Sequence, residues 1–186
     1  MSSGQRPDNA FVTVNQEPVI IAEYSSQWPA QFNEESQVLR ATFGLIEIDI
    51  EHVGSTAVPG LAAKPIIDIL LGANSLAQIE SHIPHLESVG YRYVPEFEKQ
   101  LPQRRYFVKP ARGEARFHLH AVERGSAFWR DHLRFRDALR HQPALCDRYA
   151  SLKRQLAASF FMDRAAYTDA KAPFIEAVLS ELKRRA

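Results

Sequence analysis

His52-Val-Gly-Ser-Thr-Ala-Val-Pro-Gly-Leu-Ala-Ala-Lys-Pro-Ile-Ile-Asp-Ile-Leu-Leu71 is the stretch on which the reading of the fold turns. Its end, Pro65 to Leu71, is apolar at odd and even positions alike, the pattern of a central strand covered on both faces. Just upstream, Ile46, Ile48 and Ile50 alternate with Glu47, Asp49 and Glu51, which predicts a strand with one buried face over Ile46 to Val53. Residues 54 to 64 then form a loop punctuated by Gly54, Pro59 and Gly60, and Gly72 is expected to close the second strand.

Working outward, Trp28, Phe32, Leu39 and Phe43 recur on one helix face, with Ser26 placed as N-cap, Pro29 in the first turn and Gly44 as the stop. Ser75 to Val89 reads as a helix interrupted near Pro84. Three strands are expected at Tyr91 to Val94, Arg104 to Lys109 and Arg116 to Val122, the last two joined as a hairpin through Pro110–Gly113. From Ser126 onward the spacing is helical, with stripes through Phe135 and Leu139, through Tyr149, Leu152 and Leu156, and through Phe174, Val178 and Leu182. The expected fold is α/β (α+β): a mixed sheet with flanking helices and a helical C-terminal third. Residues 1–17 read as a flexible leader and 18–186 as one domain.

Composition narrows the function classes. Positive and negative side chains nearly cancel, at net charge +1, so no global field draws the protein to nucleic acid or to a membrane. The single cysteine, Cys146, rules out an internal disulfide and reads as a packing residue. There is no apolar leader and no run long enough to span a bilayer, so a cytoplasmic location is expected.

Four features can carry chemistry. Asp68 is a carboxylate within an apolar strand, which is costly unless it is paired or holds a metal; the alternative is a structural aspartate bonded to loop amides. The loop at Gly54, Ser55 and Thr56 offers backbone N–H groups and hydroxyls to an anion, or is an ordinary glycine turn. It is not a P-loop, because five residues separate Gly54 from Gly60 and Leu61-Ala62-Ala63 precede Lys64. In Arg116-Phe-His-Leu-His120 the period of two sets His118 and His120 on one face, where they could share a metal or contact phosphate, unless that face is simply solvated. By the same period Arg105 and Lys109 share a face, either to grip a polyphosphate or as solvated charges. His82, His85, His132 and His141 are expected at the surface or its boundary, and Trp28 and Trp129 in the core.

Gly54-Ser55, twelve intervening residues and then Asp68 resembles the signature of the nucleotidyltransferase superfamily. A closer resemblance, carried by residues 52–69, by Arg105-Tyr-Phe-Val-Lys109, Phe117-His-Leu-His120, Phe135-Arg-Asp-Ala-Leu-Arg140 and Tyr167-Thr-Asp-Ala-Lys171, is to the GrpB family, and runs from about Val19 to Leu182. The resemblance implies a nucleotidyltransferase-like fold, a nucleoside triphosphate or other anionic small molecule as ligand, and magnesium or another divalent metal. Gly54, Ser55 and Thr56 would cradle phosphate. Lys64, Arg105, Lys109 and Lys171 would neutralise its charge, Asp68 and His120 would hold the metal, and Asp68, His118 and His120 would be catalytic. Some GrpB domains are fused to dephospho-coenzyme A kinase, an activity not expected here without a P-loop. The superfamily's second acidic position, two residues after Asp68, is Leu70 in this chain.

Overall fold

The computed structural model describes residues 18–112 and 115–185. The leader expected over residues 1–17 lies outside the described residues. Five strands, β1 (Asp49–Val53), β2 (Ile66–Ala73), β3 (Arg92–Tyr93), β4 (Arg104–Arg112) and β5 (Ala115–Glu123), form one sheet in the order β1-β2-β5-β4-β3. Only the central β2–β5 pair is parallel, and β1–β2, β5–β4 and β4–β3 are antiparallel. Among the described residues seven α-helices flank it: α1 (Gln27–Phe43), α2 (Leu76–Glu80), α3 (Ile83–Ser88), α4 (Ala127–His141), α5 (Pro143–Ser159), α6 (Arg164–Asp169) and α7 (Ala172–Arg185). The mixed sheet and the helical last third are those expected.

One face of the sheet carries the main core. Ile67, Ile69 and Leu71 of β2, Phe107 of β4 and Phe117, Leu119 and Ala121 of β5 pack against Trp28, Leu39 and Phe43 of α1, Ile79 of α2 and Leu86 of α3. On the other face a smaller cluster joins Val53, Leu70 and Val122 to Trp129 of α4. A third joins Val58 and Leu61 of the loop to Leu139, Leu145, Tyr149 and Val178 of α4, α5 and α7. The loop is therefore packed into the helical third.

Several local expectations shift. β1 begins only at Asp49. Gly72 does not close β2 but lies within it, because Trp129 crosses there and a Cβ would come within 2.8 Å of its ring. The Ser75–Val89 helix divides into α2 and α3, and Pro84 opens the second piece, where its missing N–H costs nothing. Ser26 occupies the N-cap of α1 without a capping bond, whereas the Ser126 hydroxyl accepts from the Trp129 N–H as a cap should. β4 and β5 do pair as a hairpin, but they reach Arg112 and Ala115, so the reversal lies beyond Pro110 and outside the described residues.

Candidate functional site

The register of the sheet assembles the site. Asp68 of β2 lies opposite His118 of β5, Leu70 opposite His120, and His120 in turn opposite Tyr106 of β4. Strand partners share a face. Asp68, His118, His120 and Tyr106 therefore all stand on the face away from the main core.

The Asp68 side chain is 29% exposed. His120 Nε2 is 3.4 Å and His118 Nδ1 3.6 Å from its Oδ1. Arg104 Nη1 lies 3.1 Å from His120 Nδ1. A guanidinium can only donate, so Nδ1 must accept and the imidazole proton sits on Nε2, directed at Asp68. Burial would raise the Asp68 carboxyl, but the His120 bond and the charges of His118, His120 and Lys171 outweigh it and hold it below the ordinary carboxylate range. His118, edge-on to the Tyr106 ring, is brought down to about 4 by burial, partly opposed by Asp68.

Gly54 is where the loop meets the carboxylate. Its φ is +71°, and a Cβ there would lie 3.0 Å from the Asp68 carboxyl carbon and on top of its Oδ2. Only glycine meets both demands. The loop then turns through one 3₁₀ turn, Ser55–Ala57, in which Ala57 and Val58 donate back to the Gly54 and Ser55 carbonyls. Ser55 lies close to Tyr149 of α5. From the helical third, three cations take loop carbonyls: Arg136 that of His52, Arg140 that of Ala57 with two nitrogens at 2.9 and 2.7 Å, and Lys153 that of Ala62.

Lys64 at the loop's end and Lys171 beyond α6 both lie over the Tyr167 ring, their Nζ atoms 4.9 and 4.4 Å from its centroid. Burial lowers Lys64 to about 8, helped by the charges of Lys171 and Arg164 and opposed by Asp68. Lys171 is lowered by burial and raised by Asp68. Buried Lys153 falls to about 7, by burial first and Lys171 second.

Of the sequence-predicted residues, the structure thus brings together Gly54, Ser55, Lys64, Asp68, His118, His120 and Lys171. It does not bring in three others. Thr56 is 1% exposed, and its hydroxyl donates to the Ile66 carbonyl while accepting from His52, so nothing of it is left for phosphate. Arg105 and Lys109 lie on the core face of β4 with Phe107. There Arg105 is paired with Glu80 and Glu98, and Lys109, 4% exposed, is paired at 2.7 Å with buried Glu35. The apolar Phe107 between them was the signal that this face turns inward. Sequence reasoning missed Arg104 and Tyr106 on the opposite face of β4. His132, expected at the surface or its boundary, is half-buried and adjoins the site. Its ring lies 6.1 Å from that of His120 and stacks on Phe128.

The two-magnesium arrangement implied by the resemblance does not fit these residues. The second acidic position is Leu70, 0% exposed beneath Trp129 between Val53 and Val122. The two nitrogens of His120 face Arg104 and Asp68. Among the described residues no group of three or more His, Cys, Asp or Glu is arranged to hold a metal ion.

Comparison with known proteins places this geometry. The family model described as GrpB protein matches residues 18–181. The glutamate-rich protein GrpB of Alkalihalophilus pseudofirmus is 35% identical over 173 residues, 91% of this chain and 98% of that protein. The crystal structure of GrpB from Enterococcus faecalis superposes with TM-score 0.79 at 34% identity, over 89% of this chain and 98% of that one. A looser likeness, TM-score 0.48 at 11% identity over 81% of this chain and 49% of that one, is to the Cid1 poly(U) polymerase, a level that speaks of neither substrate nor chemistry.

Proposed function

The chain belongs to the GrpB family, and from that premise we propose that its Asp68 face binds a phosphate-bearing small molecule, with a nucleoside triphosphate as first candidate. The observation that carries this is a lone carboxylate, Asp68, within reach of the charges of Lys64 and Lys171, beside a glycine that leaves no side chain between loop and carboxylate. Such a surplus of positive charge around a partly buried carboxylate favours an anion over a neutral or cationic ligand. No helix among the described residues is long and apolar enough to cross a membrane, and a cytoplasmic location, where nucleotides are plentiful, is part of the same proposal.

A second reading adds chemistry. Asp68 is kept ionised, accepts a bond from His120 and lies beside His118, as a base for an acceptor's proton would. An acceptor hydroxyl or amine would then attack the α-phosphorus, its proton passing to Asp68 and pyrophosphate leaving.

Calorimetric titration of the common nucleoside di- and triphosphates into wild type and Asp68→Asn tests both. The replacement keeps shape and removes a negative charge. Wild type is expected to bind at least one triphosphate, and the variant to bind it as well or better while losing any turnover. Absence of binding for every phosphate ligand tried would sink the proposal. Turnover that survives in the variant would sink the second reading alone.

A further inference from the structure

The disagreement between this site and a two-metal site points to what replaces the metals. At a two-metal centre the carboxylates are acceptors only, and divalent ions supply much of the positive charge that meets the phosphates. Here one of those carboxylates is absent and its place is filled by packing: Leu70 is sealed under Trp129, so no second acidic group could be accommodated without breaking that cluster. At the same time the helical third carries cations to the remaining carboxylate. Lys171, in the short link between α6 and α7, and Lys64, at the mouth of β2, converge on the single ring of Tyr167, which is itself buried against Val19 and Ala157. Lys153 stands behind them, its Nζ fixed on the Ala62 carbonyl and 5.2 Å from the Tyr149 ring.

Lys171 repels Lys64 on one side and Lys153 on the other. Among the described residues the opposing charge felt by Lys64 and Lys171 is that of Asp68, and neither forms a direct ion pair with it. The arrangement is costly without an anion and favourable with one.

Resting on the phosphate-binding reading above, we propose that Lys64 and Lys171, held together over the Tyr167 ring, supply the positive charge that magnesium supplies at two-metal sites, so that this protein holds its phosphate ligand without a divalent metal. The lysines' lowered proton affinity agrees with this. An arriving polyanion restores that affinity, so binding should draw protons from the buffer.

The test is calorimetric titration of inorganic tripolyphosphate and of ATP into the full chain, each in EDTA and in excess magnesium. It is run in two buffers of different ionisation enthalpy, on wild type, Lys64→Gln, Lys171→Gln and Lys171→Arg. Binding in EDTA at least as tight as in magnesium is expected, with net proton uptake. Each glutamine variant should weaken it by about tenfold or more, roughly the loss of one charge-assisted contact, and Lys171→Arg should retain most of it. Thermal unfolding of the same variants identifies any that fail to fold, and Lys64→Gln, on a different element, then stands in for Lys171→Gln. Binding seen only with magnesium would overturn the inference and leave the phosphate-binding reading intact. Unchanged EDTA affinity in both folded glutamine variants would do the same. Absence of binding under both conditions would remove the reading and the inference together.

Discussion

At Gly54 two demands fall on one residue: a backbone in the left-handed region and the approach of the Asp68 carboxylate to where a side chain would begin. Left-handed backbone costs an ordinary residue about 1–2 kcal/mol, and displacing a carboxylate held by His120 adds to this. Gly54→Ala is therefore expected to lower stability by about 2 kcal/mol or more, read as a shift of the urea midpoint at unchanged slope. Phosphate binding should fall further than stability does, since the same methyl group occupies the ligand's approach. By contrast Gly60, equally left-handed at φ +77°, has nothing within 4 Å of a Cβ, so Gly60→Ala isolates the backbone cost alone. The difference between the two variants measures the carboxylate contact. Asp68, His118 and Gly54 were legible in the sequence because a charged residue in an apolar strand and a histidine pair at period two stand out locally. The Thr56 hydroxyl was not, because its partners, His52 and the Ile66 carbonyl, depend on how the loop closes.

Among the elements, β4 shows how a correct period can yield a wrong assignment. Arg105, Phe107 and Lys109 do share a face, but it is the face packed on α1 and α2, and the opposite set, Arg104 and Tyr106, meets His120. Periodicity divides a strand into two faces without saying which one a site will use; only the register with β5 decides. The consequence for Lys109 is testable. Its buried pair with Glu35 ties β4 to α1, and removing one partner leaves a charge stranded in the core, at a cost of about 3–5 kcal/mol. Lys109→Met and Glu35→Leu are each expected to destabilise by that order, and the double variant by much less, since two apolar side chains can replace a buried pair. A double-mutant cycle by chemical denaturation checks this, and phosphate affinity in the double variant should be unchanged. Additive losses would show that the pair is not coupled.

Across the whole molecule, buried His52 and half-buried His118 and His132 are each lowered to about 4 from an ordinary 6.5, loss of hydration being the largest cause in all three. Their folded-state proton affinity is depressed, so the unfolded chain binds protons first as pH falls. The stability linked to them is therefore complete above about 6.5 and is lost progressively between 6.5 and about 4. Asp68, also depressed, contributes in the same direction at still lower pH. Urea midpoints should fall steeply as pH drops below 6.5, with His52→Phe flattening part of the slope; a midpoint independent of pH between 6.5 and about 4 would refute the assignment of these three as neutral groups in the fold. Legibility was poorest at this scale. The arginines and lysines by which α4 and α5 hold the loop carbonyls are more than 80 residues from them in the chain, and nothing local marks them. The parallel pairing of β2 with β5 has one more consequence, for the way this chain is made. On the ribosome β2 emerges with β1 beside it and its other edge bare, apolar on both faces, through all the time it takes to add the residues up to β5. His118 and His120 are not yet made in that interval, and Lys171 arrives later still. The growing chain thus carries its stickiest strand unpaired until late in synthesis, so its yield in the cell should depend on chaperone capacity and translation speed more than the finished fold would suggest.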